Sequence, residues 1–132
     1  MPIFQLTESL SVAAQITTQD IPNLAAQGFT VVVCNRPDDE VPGQTTMDEI
    51  EAACNADDII FVRYPVDAIN FPGPDIEGLG ALFDDADQSV LAYCRTGTRC
   101  ANLWVTSRSG DAQAAAVQTA REIGFDLSLV RA

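Results

Sequence analysis

Residues 89–100 read SVLAYCRTGTRC, in which a short apolar run ends directly at a cysteine. The run SVLAY (89–93) predicts a buried strand, and a helical pattern begins near Cys100. The loop between them, residues 94–99, contains Cys94, one glycine and two arginines. This strand–loop–helix unit therefore contains both a central element of the fold and the candidate functional residues.

The segments before and after this unit alternate between strand and helix patterns. The runs TVVVC (30–34) and DIIFVRY (58–64) predict strands buried on both faces, and SVAAQI (11–16) is a shorter, moderately apolar run. The tail FDLSLV (125–130) is expected to be a short strand or an extended end. Helices are predicted from capping residues and glycine stops at 17–29, 46–54, 75–86, 100–109 and 111–123.

Strands that alternate with helices predict an α/β fold, a mostly parallel sheet with helices on both faces. The length of 132 residues fits one domain, 1–132, with one core. Ligands of such folds bind at the carboxyl ends of the strands. We therefore expect the loops 35–44, 65–74 and 94–99 to form the site.

The charge of the chain restricts its partners. The formal net charge is −12, and all seven basic residues are arginine. Nucleic acids and anionic membranes would be repelled, and an anionic substrate would need a local arginine cluster. No apolar run approaches the roughly 20 residues of a membrane span, and the amino-terminal stretch lacks the basic start of a secretion signal. We expect a cytoplasmic protein.

The titratable residues restrict the chemistry. Histidine is absent, which removes Ser-His-Asp catalysis, Cys-His catalysis and most zinc chemistry. No two of the four cysteines form a C-x-x-C pair, so no metal site and no cofactor is predicted. Cys34 and Cys54 lie in apolar surroundings and are expected in the core. In a reducing compartment all four should be thiols.

The loop 94–99 has the features of an activated-thiol site. Backbone N–H groups at a helix start, together with the helix dipole, attract an anion, and the guanidinium of Arg99 can bind it through two parallel hydrogen bonds. Gly97 permits a sharp turn, and Thr96 and Thr98 offer hydroxyl donors. The same environment lowers the pKa of a cysteine without a histidine. The alternative is an inert buried cysteine on a turn, with Arg95 and Arg99 in surface salt bridges.

Three stretches carry a family resemblance. YCRTGTRCANLW (93–104), NRPDDEVPGQ (35–44) and VRYPVD (62–67) resemble the β-lactamase-hydrolase-like, phosphatase-like domain family, which is related to protein tyrosine and dual-specificity phosphatases. The similarity runs from about residue 3 to residue 109. It implies a phosphatase-like three-layer α/β/α fold, a nucleophilic Cys94, an anion-binding Arg99 and a loop aspartate as general acid.

The loop departs from phosphatase signatures at two points. Four residues, not the usual five, separate Cys94 from Arg99. Rhodanese-type sulfurtransferases use a cysteine loop of similar size, and members of this family have been described in that role too. Cys100 also stands where such signatures carry serine or threonine. It either packs under the loop, donates a weak hydrogen bond to Cys94, or traps Cys94 as a disulfide.

Two further positions have alternative roles. A phosphatase needs a general acid, for which Asp67 is preferred over Asp75, because Asp75 is the natural cap of the next helix. If the enzyme moves sulfur, no acid is required. Arg36 either adds charge to the anion pocket or pairs with an acidic residue of its own loop, Asp38, Asp39 or Glu40.

Together these features predict a cysteine-dependent, phosphatase-like hydrolase. The alternatives are a sulfurtransferase that forms a persulfide on Cys94 and a non-catalytic anion-binding module. The catalytic residues are predicted to be Cys94, Arg99 and Asp67. The substrate would be a small anion or a phosphorylated protein, and the family name hints at a metallo-hydrolase partner. Residues predicted to contact the substrate are Arg95, Thr96, Gly97, Thr98, Arg36 and Cys100.

Overall fold

Residues 2–130 of the protein are described by a computed structural model. Within them, five strands form one sheet in the order β1-β2-β5-β3-β4. All neighbouring strands run parallel except β1, which is antiparallel to β2. The strands are β1 (Ile3–Gln5), β2 (Leu10–Ala13), β3 (Val31–Cys34), β4 (Ile60–Arg63) and β5 (Val90–Tyr93).

Helices cover both faces of this sheet. α3, α4 and α5 pack on one face, against residues such as Val31 and Val33, while α1 and α2 pack on the other, against Val32 and Leu91. The predicted three-layer α/β/α fold is therefore confirmed. The helices are α1 (Ile21–Ala26), α2 (Met47–Ala56), α3 (Ile76–Phe83), α4 (Thr98–Thr106) and α5 (Gly110–Ile123), and a single 3-10 turn (Thr18–Asp20) precedes α1.

The predicted burial of the strands holds for the centre of the sheet and fails at its edge. β3 and β5 are buried along their whole length, as their apolar runs predict. The strand predicted at 58–64 forms as β4, but its predicted burial is wrong: Ile60 is 55% exposed, because β4 lies at the sheet edge and pairs with β3 alone. β1 was not predicted, since three residues are too short for a periodic pattern.

The local helix signals are confirmed. Thr46 and Glu49 form the predicted capping box of α2, and Gly28 follows α1 with a positive φ of 95°. Of the two alternatives for residues 125–130, the short strand does not form and the extended end is the one found. Residues 125–130 pass as an extended segment with one turn, and the buried Asn102 of α4 holds it by donating to the Asp126 carbonyl at 2.8 Å. No helix within residues 2–130 has the length and apolarity to span a membrane.

Candidate active site

The carboxyl edge of the sheet brings the predicted loops together. β5 ends at Tyr93, and the backbone N–H of Cys94 donates to the Ala13 carbonyl of β2 at 3.3 Å. On the other side, the N–H of Asn35 donates to the Tyr93 carbonyl at 2.8 Å. The cysteine loop is thus fixed between the ends of its two neighbouring strands, as expected for a parallel sheet.

Gly97 shapes the loop around the sulfur. It is the N-cap of α4, with φ 90° and ψ −17°, a left-handed conformation that glycine adopts without strain. Its backbone N–H donates to Cys94 Sγ at 3.1 Å. A Cβ at this position would lie 3.4 Å from the Phe125 ring and 3.5 Å from the Ala13 carbonyl carbon. These are ordinary contacts, so it is the positive φ of the turn that favours glycine here, and the turn directs the Gly97 amide at the thiol.

The Cys94 thiol is activated by hydrogen bonds. Its pKa is lowered to about 6, first by a hydrogen bond from the Cys100 side chain and further by the backbone N–H groups of Cys100, Thr96 and Gly97. Burial opposes this shift, since Cys94 is 1% exposed, but the donors outweigh it. At neutral pH the residue is mainly a thiolate, the nucleophilic form of cysteine.

Cys100 supplies the side-chain donor beneath this thiolate. It is fully buried as the third residue of α4, and burial, followed by the neighbouring Cys94, raises the pKa of its own thiol well above the ordinary value. Both cysteines are free thiols, so the disulfide alternative is not formed in this structure. Cys100 stands where related signatures carry serine or threonine, and its thiol donates the hydrogen bond that a hydroxyl would donate there.

The two remaining cysteines belong to the core, as predicted. Cys34 is buried at the end of β3 and donates to the Arg36 carbonyl at 3.1 Å. Cys54 is buried in α2, where burial raises its pKa to about 11. Both thiols therefore stay protonated at neutral pH, which sets Cys94 apart from them.

Arg99 is held by a carboxylate that lies far away in the sequence. Its Nη1 and Nη2 donate to the two carboxylate oxygens of Glu40, each at 2.9 Å, and Nη1 also donates to the Val66 carbonyl at 2.9 Å. Three of the five N–H donors of the guanidinium are thus occupied. The Nε–H and the second Nη2–H lie side by side and have no partner among residues 2–130. They form an open fork that matches an oxyanion.

Arg36 adopts the ion-pair alternative. Its Nε donates to Glu40 Oε1 at 2.8 Å and its Nη1 to Gln15 Oε1 at 3.0 Å, and the residue is only 3% exposed. Arg99, followed by the more weakly acting Arg36, lowers the pKa of Glu40, although burial opposes the shift. From the sequence, Glu40 is one of three candidate partners for Arg36, and its contact with Arg99 is not predicted. A glutamate four residues after an arginine was the available signal.

The two candidate acids differ in their position. Asp67 follows Val66, whose carbonyl contacts Arg99, and its Oδ1 accepts the N–H groups of Ile69 and Asn70 at 2.9 Å. Its Oδ2 accepts no hydrogen bond within residues 2–130, and the side chain is exposed. Asp75 caps α3 by accepting the Gly78 N–H at 3.0 Å. Only Asp67 is attached directly to the segment that contacts Arg99.

The remaining loop side chains lie at the mouth of the site. Thr96 Oγ1 and Thr98 Oγ1 are 3.0 Å apart and exchange a hydrogen bond. Arg95 is exposed, and its guanidinium makes no ion pair within the described part of the chain. Across residues 2–130, no cluster of three or more acidic or thiol side chains is arranged to hold a metal ion.

Comparison with known proteins finds a family and relatives that match most of the chain. A family model described as beta-lactamase hydrolase-like protein, phosphatase-like domain, matches residues 3–124. A curated beta-lactamase hydrolase-like protein of Agrobacterium fabrum (strain C58 / ATCC 33970) is 32% identical over 111 residues, which are 84% of this chain and 26% of that protein. The chain therefore spans about a quarter of the length of such relatives.

Solved structures show the same fold. A protein of Neisseria meningitidis Z2491, described as a candidate phosphatase, is 32% identical and superposes with a TM-score of 0.80 over 97% of this chain and 92% of that one. PTPMT1 superposes with a TM-score of 0.71 over 98% of this chain and 89% of that one, at 16% identity. The second likeness concerns the fold alone.

Proposed function

We propose that this chain, which belongs to the family of beta-lactamase hydrolase-like proteins' phosphatase-like domains, hydrolyses a phosphate ester with Cys94 as the nucleophile. One observation carries the proposal. The Cys94 thiolate lies at the start of α4, within a loop whose Arg99 keeps an open Nε–H and Nη2–H fork. A nucleophile and an oxyanion-binding group thus belong to one six-residue segment, 94–99.

The loop would bind the oxyanion in three ways. The N–H groups at the start of α4 and the helix dipole attract negative charge. The open fork of Arg99 would donate to two equatorial oxygens, and the exposed guanidinium of Arg95 would add a further cation. Donors that are fixed before the reaction stabilise the charge that develops in the transition state.

The chemical steps use groups of this chain and water. Cys94 Sγ attacks phosphorus and forms an S–P bond while the P–O bond to the leaving group breaks. The leaving oxygen takes a proton from the Asp67 carboxyl group, which becomes a carboxylate. Water then attacks the phosphocysteine, gives its proton back to Asp67 and releases inorganic phosphate and the thiolate. The open Oδ2 of Asp67 supports its assignment as the acid.

The activity can be tested with a generic aryl phosphate. We expect phosphate release by the wild type and none by Cys94→Ser, which removes the thiolate. Cys54→Ala is the matched control, because Cys54 is a buried thiol of α2 outside the loop, and it should retain activity. Full activity of Cys94→Ser would contradict the proposed nucleophile. Thermal unfolding of each variant would show that it is folded.

Sulfur transfer is the second candidate, and two observations favour it. Only four residues separate Cys94 from Arg99, and the carboxylates of Asp67 and Asp75 already accept backbone N–H groups. In this reaction Cys94 attacks the outer sulfur of thiosulfate, the S–S bond breaks, sulfite leaves and a persulfide anion remains on Cys94. The N–H donors around Cys94 Sγ would stabilise that anion. No general acid is needed.

Intact mass separates the candidates. The protein is incubated with thiosulfate and, separately, with an aryl phosphate. A Cys94-dependent gain of one sulfur atom without phosphate release would make sulfur transfer the favoured function and hydrolysis the second candidate. Absence of both reactions would support the third alternative, a non-catalytic anion-binding module. We further propose that the substrate is a small anion or a phosphorylated protein and that the domain acts beside a metallo-hydrolase. The greater length of the relatives allows such a partner within one chain.

A further inference from the structure

We propose that Arg36 is a positioning residue whose charge offsets that of Glu40, so that Glu40 can hold Arg99 in place without cancelling the charge of Arg99. The inference rests on the proposed function, because it assumes that Arg99 binds the oxyanion of the substrate. It assigns Arg36 a role in anion affinity without direct contact to the anion.

Four side chains form one continuous series of hydrogen bonds. Gln15 Oε1 accepts from Arg36 Nη1 at 3.0 Å, Arg36 Nε donates to Glu40 Oε1 at 2.8 Å, and Glu40 accepts twice from Arg99 at 2.9 Å. Glu40 Oε1 is shared between both arginines. This series of hydrogen bonds joins the loop after β2, the loop after β3 and α4, and it fixes these three segments relative to one another.

The charges explain why a second arginine is needed. A carboxylate that binds Arg99 end-on orients the guanidinium but also neutralises it. With Cys94 ionised, the set of Cys94, Arg99 and Glu40 carries one net negative charge and would repel an oxyanion. Arg36 brings this total to zero. The compensation matters here because the whole chain carries a net charge of −12.

Because Arg36 is buried, its charge interacts strongly with neighbouring groups. Arg36 is 3% exposed, so water screens it poorly. Its second partner, Gln15, is neutral and fixes the guanidinium without consuming its charge. The nearby Asp38 does not form an ion pair with it: Asp38 Oδ1 accepts the Met47 N–H at 2.9 Å. Among the acidic side chains of the described residues, Arg36 therefore forms an ion pair with Glu40 alone.

The alternative is that Arg36 only fills space and ties the loops together. Two pairs of variants separate charge from packing. Arg36→Lys keeps the cation while Arg36→Gln removes it. Gln15→Glu keeps an oxygen that accepts from Arg36 and adds a negative charge on the other side of Arg36, whereas Gln15→Met removes this acceptor without adding charge. Gln15 is half-buried, so its variants remain informative if Arg36→Gln does not fold.

The test is a ¹H–¹⁵N NMR titration of the full chain with inorganic phosphate, following the Arg99 Nε–H and the Gly97 amide. We expect saturable shifts in the wild type, and an increase of about tenfold in the dissociation constant for Arg36→Gln and for Gln15→Glu. Arg36→Lys and Gln15→Met should stay within about threefold of the wild type.

Each other result has a definite meaning. Equal losses in Arg36→Lys and Arg36→Gln, or in Gln15→Glu and Gln15→Met, would show a packing role and overturn the inference. Unchanged binding in both charge-altering variants would overturn it too, while leaving the proposed function intact. Absence of any phosphate-dependent shift in the wild type would refute the anion site itself, and the inference with it.

Discussion

The Cys100 thiol donates a hydrogen bond to the sulfur of Cys94, and this contact is the largest cause of the low pKa of Cys94. Along the sequence the two residues stand at opposite ends of the loop: Cys94 follows β5, and Cys100 lies within α4. In a chain without histidine, a buried thiol, three backbone amides and a helix start replace the general base that activates many cysteine nucleophiles.

Removing the Cys100 donor should weaken this activation. We predict that Cys100→Ala raises the pKa of Cys94 from about 6 by about one unit or more. Cys100→Ser should keep it low, because a hydroxyl is the stronger donor. The ultraviolet absorbance of the thiolate as a function of pH measures the shift, with Cys94→Ser as the blank. An unchanged pKa in Cys100→Ala would show that the amides alone activate Cys94.

The depressed pKa also links stability to pH. The Cys94 pKa falls from 9.0 to about 6 on folding, so the folded state favours the thiolate. The resulting stabilisation is complete above pH 9 and is lost as the pH falls to 6. The difference in unfolding free energy between the wild type and Cys94→Ser should therefore grow by about 4 kcal/mol across this range. Urea unfolding at several pH values checks this, and a pH-independent difference would contradict it.

Gly97 should not tolerate a side chain. Because its φ is 90°, we expect Gly97→Ala to destabilise the protein by about 1–2 kcal/mol and to impair the amide contact to Cys94. Gly28→Ala is the matched control, since Gly28 also has a positive φ, of 95°, but follows α1 in open space, away from the site loops. Both variants should lose stability in denaturant, while only Gly97→Ala should also lose activity. Equal activity in the two would contradict the role of the Gly97 amide.

The acid can be identified by its dependence on the leaving group. If Asp67 protonates the leaving oxygen, Asp67→Asn should reduce kcat by about 10²–10⁴-fold for poor leaving groups and much less for good ones. Asn keeps the Oδ1 that caps the turn, so the loop should persist. Asp75→Asn keeps the α3 cap in the same way and should leave the rate unchanged. Equal effects of the two substitutions would remove Asp67 from the mechanism.

The features that could be predicted from sequence are local. The run SVLAY, the glycine turn and the first residues of α4 lie within eighteen consecutive residues, 89–106, and each follows from backbone preferences and burial. The capping box of Thr46 and Glu49 is likewise a three-residue relationship. Such features are determined by residues that are close to one another in the sequence, so they can be predicted from it.

What could not be predicted depends on contacts across the fold. Glu40 binds Arg99 across 59 residues, and nothing near Glu40 indicates that partner. Whether Arg36 faces the pocket or its own loop depends on Gln15, which the end of β2 brings beside it. The exposure of β4 depends on its place at the sheet edge, because its apolar run resembles that of a central strand.

A covalent phosphoenzyme on Cys94 would link the thiolate, the anion loop and the hydrolase in a single observation. The measurement is rapid acid quenching of the protein during turnover of an aryl phosphate, followed by intact mass and mapping of the modified residue. We predict the added mass of one phosphoryl group on Cys94, absent in Cys94→Ser and unchanged in Cys54→Ala. Phosphate release without any adduct on Cys94, and with Cys94→Ser fully active, would contradict the proposed mechanism.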